Sequence, residues 1–384
     1  MLGMHTQKNP VVRTEQAMAF TDSASVAPFK RASSGAPEVC IGIPSVERKG
    51  PRYLRLAIGS IHEGLAQEER DRIHLLVLIA HTDPETHPAY HDSWLGNLVD
   101  AVLEYDVPPE ELAHLADLEN EPGLFREKAL FDHTYVLKAC YATCAELIVT
   151  FEDDIFAMDG WFHRMITGTR SAARKSTQLK RYGDYLYMRL FYTEEYLGWN
   201  SEERFDYLSA SLSIWGVVLT FVLVLSVRFP RRGLTILIVL VMCVVVTPAL
   251  ILLFFAAGRL TVFPRPTGVS LMNNFGCCTQ GQVFPSFKVP DLVEYLTRAR
   301  IGFIDTLTEA YADEHDELRW AFTPSVVQHI GQRSSKDDDP KDRKYKSFGY
   351  PVSHKLWSFP FEKHDAVTLR AEHQAALDSD GRSR

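Results

Sequence analysis

Two blocks near the middle of the chain carry no charge at all: SLSIWGVVLTFVLVLSV (211–227) and LTILIVLVMCVVVTPALILLFFAA (234–257). At about 1.5 Å per residue the second block spans a hydrocarbon core of about 30 Å with room for tilt, while the first sits at the lower limit. A core helix of a soluble protein is the competing reading of each. The link RFPRRG (228–233) is too short for anything but a hairpin turn, and Arg228, Arg231 and Arg232 assign it to the cytosolic side. Both flanking parts of the chain then lie in a lumen. Pro248 predicts a kink in the second helix, tolerable where a neighbour satisfies the freed carbonyl.

Outside the hairpin the pattern alternates between strand and helix. VCIGIPSV (39–46) is a β-branched run ending at a proline turn, YLRLAIGSIHEGL (53–65) has helical spacing, and RIHLLVLIAHTD (72–83) is an apolar strand ending in polar residues. A helical stretch over 128–145 then leads into LIVTF at 147–151. This βαβ order predicts an α/β fold with a parallel sheet. It divides the chain into a flexible N-terminal stem (1–38), a first domain part (39–210), the hairpin (211–257), a second domain part (258–336), and a charged loop with a polar C-terminal tail (337–384). A lumenal domain needs an upstream signal or anchor, and residues 1–38 contain no apolar stretch of that kind, so the expectation is a missing anchor ahead of the stem, with a cytosolic catalytic part as the alternative.

The strand at 147–151 delivers Glu152, Asp153 and Asp154 side by side. In open α/β sheets ligands bind at the carboxyl ends of the strands, and hard oxygen donors there suit a divalent cation that offsets charge on a diphosphate leaving group. A solvated acidic turn, or a helix N-terminus favoured by negative charge, is the ordinary alternative. Net charge of -8 argues against a nucleic-acid partner, which demands clustered Lys and Arg. The six cysteines have neither CxxC spacing nor neighbouring histidines, which argues against structural zinc. Five lie outside the apolar blocks, so one or two disulfides fit an oxidising lumen. Cys140 and Cys144 share a helix face without thereby forming a pair, and a bond between adjacent Cys277 and Cys278 is strained.

IGIPSV, FEDD, YLYMRLFYTEEYLGWN, FPRPTGV, FGCCTQGQVFP and TPSVVQHIGQRSS, together with a membrane hairpin placed inside an α/β domain, resemble one family of glycosyltransferases. It is the post-GPI-attachment-to-proteins factor 4 family, which adds an N-acetylgalactosamine branch to glycosylphosphatidylinositol (GPI) anchors; the resemblance spans roughly residues 39–336. More distantly the chain looks like the N-acetylglucosaminyltransferase IV enzymes of N-glycan branching. The resemblance implies a GT-A (Rossmann-like) domain interrupted by a two-helix transmembrane hairpin. It implies a Golgi or ER membrane enzyme that moves an N-acetylhexosamine from a UDP-sugar, with Mn²⁺, to the mannose core of a GPI glycolipid or GPI-anchored protein.

By position, the resemblance makes Asp154 the Mn²⁺ ligand, sets Glu152 and Asp153 on the donor's ribose and sugar, and places Ile43, Pro44 and Ser45 at the uracil. His329 matches the C-terminal histidine that such enzymes bring back to the metal, although a histidine after an apolar strand also reads as structural. An inverting transfer needs a carboxylate base. Asp305 and Glu309 lie one helical turn apart, with Asp305 favoured; both also read as ordinary acids near a helix start. Arg126 and Lys128 can steer a diphosphate or belong to a solvated helix start. Tyr192, Tyr196 and Trp199 suit either stacking on a glycan or a membrane interface. Two other readings stay open: N-acetylglucosaminyl transfer onto N-glycans, and a non-catalytic membrane protein that binds GPI glycans.

Overall fold

The computed structural model describes residues 8–48, 52–121, 124–179, 184–193, 197–201, 203–228, 232–272, 278–331 and 356–383. The chain divides into two units, 1–193 with 266–384, and 194–265. The larger is a mixed α/β domain. Its strands are β1 (Val39–Ser45), β2 (Ile73–Ile79), β3 (Ala101–Leu103), β4 (Leu147–Phe151), β5 (Ile155–Ala157), β6 (Tyr187–Arg189), β7 (Gly268–Leu271), β8 (Gly281–Pro285), β9 (Arg319–Thr323) and β10 (Val327–His329). Eight of them form one sheet in the order β3-β2-β1-β4-β8-β6-β9-β7, and β5 with β10 form a separate antiparallel ribbon.

The neighbours β3, β2, β1 and β4 all run parallel, whereas β8 inserts antiparallel between β4 and β6. The parallel strands are joined by helices α2 (Leu54–His62), α3 (Gln67–Arg70), α4 (Ser93–Leu98), α5 (Pro109–Asn120) and α6 (Phe125–Ala142). The chain moves from β1 outward through β2 to β3, then crosses back to place β4 on the other side of β1. That reversal is the position where an open sheet offers a crevice at its carboxyl edge.

β1 is buried on both faces, as expected of a central parallel strand. Val39, Ile41 and Ile43 enter the core that also holds residues of α2, α4 and α7 (Trp161–Leu179). Cys40 enters the opposite core, shared with α6, α12 (Val289–Ala299) and α13 (Ile304–Glu314). There Cys40 is disulfide-bonded to Cys140. Two residues on, Gly42 is required: a Cβ would overlap the Val136 side chain of α6. Cys144 is a free, exposed thiol and Cys278 is disulfide-bonded, while Cys277 lies outside the described residues.

Both ends of the chain differ from the sequence reading. Much of the expected flexible stem is a helix, α1 (Lys8–Ala24), packed on α2. Gly59 of α2 allows the approach, because a Cβ there would run into the carbonyl oxygen of Ala17. Arg13 is buried and donates to the Ala157 carbonyl at 2.8 Å, the Ser60 carbonyl at 2.7 Å and the Glu63 carbonyl at 2.9 Å. The expected polar tail contains α14 (Ala366–Ser383). Its His373 is buried between Glu69 at 2.8 Å and Asp159 at 3.1 Å, while Arg370 pairs with Glu63 and Asp159. Charged partners far away in sequence dock these two helices together with a few apolar side chains, Ala17, Phe20 and Ala24 of α1 and Leu369 of α14.

The second unit holds α8 (Arg204–Arg228), α9 (Arg232–Leu240), a π-helical turn (Val241–Val246), α10 (Thr247–Ala256) and α11 (Arg259–Val262). Two stretches, Arg204–Arg228 and Ile236–Ala256, are long and apolar enough to cross a bilayer, and little of their most apolar part is buried within the protein. Such exposure argues against the core-helix alternative. Just before Pro248, the π-turn spreads the strain that proline introduces. Trp215 of α8 donates its indole N–H to the Cys243 carbonyl at 2.7 Å, and Thr247 donates to the Met242 carbonyl at 2.8 Å, so two carbonyls of the turn gain side-chain donors. Trp199 packs with Tyr207, Phe254, Phe255 and Phe263 at the ends of these helices. Tyr196 lies outside the described residues, and Tyr192 is buried in the larger unit with its hydroxyl 2.8 Å from that of Thr323.

Two predictions follow from the docked ends. Between Glu69 and Asp159 the His373 pKa is raised to about 9: burial opposes the charge, and the two carboxylates outweigh it. Its contribution is complete below the ordinary histidine value of about 6.5 and is lost as pH rises through about 9. Amide exchange in α14 should therefore accelerate between pH 6.5 and 9.5 relative to the sheet, and His373→Gln should remove that dependence. Gly59→Val should displace α1, read as cleavage within residues 8–24 by a protease that leaves the wild-type helix intact.

Candidate metal and donor site

β1 ends at Ser45 and β4 at Phe151, side by side at the carboxyl edge of the sheet. The chain leaves β4 through Glu152, Asp153 and Asp154 and re-enters extended structure as β5. Ribbon pairing then sets His329 opposite Ile155, and the Ile330 amide donates to the Asp154 carbonyl at 2.8 Å. One ligand atom from each of Glu152, Asp154 and His329 lies within 4.8 Å of the others.

Each acid is held differently. Thr279 donates to Glu152 Oε1, and Gln280 Nε2 donates to Oε2 at 3.2 Å. Asp153 and Asp154 are buried, only 5% and 4% exposed. Ser45 donates to Asp153 Oδ2 at 2.8 Å, and Ser45 Oγ is 3.1 Å from His87 Nε2. Because His87 Nδ1 accepts the Ala89 N–H at 3.2 Å, the proton belongs on Nε2, and the hydrogen-bond chain runs from His87 through Ser45 to Asp153. Burial, with the charges of His81 and Arg52, pushes the His87 pKa down to about 4, which keeps it in that neutral form. Arg48 binds Asp153 Oδ1 through Nη2 and lies 2.8 Å from Asp154 Oδ2 through Nη1. His329 Nε2 is 3.4 Å from the same Oδ2.

The two buried acids are driven apart. Burial, joined by the charge of Asp154, raises the Asp153 pKa against the pull of Arg48 and Ser45. Burial opposes ionisation of Asp154 as well, but His329 and Arg48 outweigh it and hold its pKa low. His329 in turn is raised, because the hydrogen bond to Asp154 and the charges of Asp154 and Glu152 overcome its burial.

The donor set fits a divalent cation. Asp154 Oδ1, His329 Nδ1 and Gln280 Oε1 are buried and accept or donate no hydrogen bond among the described residues. Unpartnered buried polar atoms beside two carboxylates are groups that a bound cation would satisfy. Gly331 passes directly over the group: a Cβ there would overlap Asp154 Oδ2 and meet His329 Nε2 at 2.8 Å. Beside these acids opens a cavity of about 260 Å³ lined by Ser45, Arg48, Arg52, Tyr53, His87 and Trp94 among others. Aromatic and cationic walls next to a cation site suit an anionic, planar ligand.

The family signature for GPI-N-acetylgalactosamine transferase PGAP4 matches residues 39–328, more than half of the chain and every strand but part of β10. The chain belongs to that family. It is therefore a glycosyltransferase of GPI biology. No curated protein matches the chain significantly.

Several of the sequence-assigned residues of this family member occupy other places. Ile43 points into the core and Pro44 pairs with Leu78 of β2, so of the three only Ser45 reaches the cavity. Lys128 is engaged by the Ala80 carbonyl at 2.7 Å, Tyr105 at 2.6 Å and Asp132 at 3.1 Å, which leaves it no role at a diphosphate. Arg126 stacks on Phe303 at 4.3 Å instead of reaching the acids. Glu309 is buried against Tyr187, Arg189 and Arg319, the last at 2.8 Å, so its charge is spent inside the domain. Asp305 sits in the first turn of α13 and accepts the Thr306 amide at 2.8 Å. Since α13 feeds β9, which runs parallel to β6, that first turn lies toward the carboxyl edge of the sheet. Arg48, His87, Thr279, Gln280 and Gly331 escape a reading of the sequence, although Arg48 lies only three residues beyond the IGIPS strand.

A methyl group at Gly331 is predicted to close the site. Gly331→Ala should weaken Mn²⁺ binding at least about tenfold in calorimetry while circular dichroism stays unchanged, matching Asp154→Asn.

Proposed function

We propose that this enzyme is a metal-dependent, inverting glycosyltransferase that moves an N-acetylhexosamine, N-acetylgalactosamine by family, from a UDP donor to the mannose core of GPI. What supports this most directly is the Glu152, Asp154 and His329 group beside an aromatic, arginine-lined cavity in a member of the GPI-N-acetylgalactosamine transferase family. When bound, Mn²⁺ would neutralise charge on the departing diphosphate.

The remaining steps fall to the chain's own groups. Thr279 and Gln280 fix Glu152, and the His87 to Ser45 chain fixes Asp153, so both carboxylates meet the donor without reorganising. Asp305 takes the proton from the acceptor hydroxyl as that oxygen bonds to the anomeric carbon and the carbon–oxygen bond to the diphosphate breaks. Its place toward the same sheet edge as the acids, with its carboxylate held by the neighbouring Thr306 amide and hydroxyl and by no ion pair among the described residues, suits that role better than the position of Glu309.

The two apolar helices cross a Golgi or ER membrane with the arginine turn at Arg228 and Arg232 on the cytosolic side. Both ends of the larger unit then lie in the lumen, where the Cys40–Cys140 bond is stable. An acceptor rooted in the same bilayer meets an enzyme held at fixed height, which raises its effective concentration.

Mass spectrometry of GPI glycans from cells lacking their own side-branch transferase tests the reading. Expression of this protein should add one N-acetylhexosamine, and Asp154→Ala should abolish the addition. No mass shift from wild-type protein that reaches the Golgi would refute the assignment of donor or acceptor.

A further inference from the structure

Arg48 stands at the junction of three features: two buried carboxylates, the cation site and the donor cavity. Its guanidinium takes both Asp153 and Asp154, one through each terminal nitrogen. The side chain is itself largely buried, stacks 5.5 Å from the Tyr53 ring, and lines the cavity with Arg52. It is therefore the counter-charge that lets two adjacent buried acids coexist without a metal.

A divalent cation changes that balance. Ligated by Asp154, it would share a carboxylate with Arg48, setting a double positive charge beside a single one in a buried site. Cation and guanidinium together balance the three carboxylates, so the acids no longer depend on Arg48 alone, while a diphosphate arriving in the adjoining cavity brings negative charge with no partner of its own. Movement of one side chain supplies that partner. A guanidinium also matches phosphate oxygens in the same two-pronged geometry that it now spends on the acids.

We propose that Arg48 is the diphosphate-binding cation of the donor site, stored on Asp153 and Asp154 until divalent metal and donor enter together. This rests on the reading of the site as a metal and nucleoside-diphosphate site. It predicts that metal and nucleotide bind cooperatively, because the metal releases the residue that the nucleotide requires.

The test uses the full chain in detergent with two probes, Mn²⁺ alone followed by electron paramagnetic resonance, and UDP at saturating Mn²⁺ followed by calorimetry. Arg48→Met keeps length and removes charge; Arg48→Lys keeps charge and removes the fork. For Arg48→Met, Mn²⁺ alone should bind roughly tenfold tighter than to wild type, while UDP binds about tenfold weaker. Arg48→Lys should keep Mn²⁺ affinity near wild type and lose part of the UDP affinity. Opposite signs for the two probes also exclude a variant that has merely misfolded, which would lose both. Should Arg48→Met bind Mn²⁺ no tighter, or UDP as well as wild type does, the storage role is wrong although the site reading survives. If the wild type binds neither probe, the site reading fails and this inference with it.

Discussion

Three neighbouring carboxylates in one largely buried corner are the constraint from which most of this domain follows. Like charges a few ångströms apart in a medium of reduced dielectric cannot all stay ionised without compensation. The protein meets the demand residue by residue: a hydroxyl and an amide for Glu152, a serine and half of a guanidinium for Asp153, the other half and an imidazole for Asp154. Compensation stops short of completion, since Asp154 Oδ1 accepts no hydrogen bond among the described residues. A cation bound there would recover desolvation free energy that folding left unmet.

Holding the acids in place requires bracing at long range. Segment Ile155–Ala157 follows directly on the acids, and it is tied to β10 on one side and to α2 through the Ser60 hydroxyl on the Ala157 amide at 2.9 Å. Arg13 from one end of the described chain holds the Ala157 carbonyl, and His373 and Arg370 from the other end hold Asp159. Both terminal helices therefore act on the strand that positions Asp154 and His329. The cluster around Glu309 does comparable work across the sheet: Arg189 joins it to the Cys278 carbonyl, next to the Thr279 and Gln280 that fix Glu152.

The two apolar helices enter the chain between β6 and β7, the two strands that flank β9. Placing them there costs the sheet little. Loop-closure entropy grows slowly with loop length, and the hairpin satisfies its own backbone within its helices and the π-turn. The first helix reaches back to Arg204, well before the apolar block at 211, so it has 25 residues instead of 17 with which to span a bilayer. Hydropathy saw only the uncharged part; the first turns, which carry Arg204 and Asp206, lengthen the helix beyond it.

The sequence by itself determined whatever depends on short-range periodicity or on composition. Apolar runs with β-branched residues placed β1, β2 and β4, two uncharged blocks placed the hairpin, and an acidic triplet after a buried strand placed the site. Tertiary structure decided the rest, because the deciding partners are far apart in the chain and chemically unremarkable alone. Glu309 and Asp305 look alike in sequence; only the arrival of Arg189 and Arg319 neutralises one and leaves the other on the amide and hydroxyl of its neighbour Thr306. Little local marks α1 or α14 as packed, since polar and charged contacts to distant residues carry much of their docking beside a few apolar side chains. Arg48 reads as an ordinary loop arginine until the fold sets two acids, more than a hundred residues onward, against its guanidinium, and charge compensation across that distance is a property of the folded chain alone.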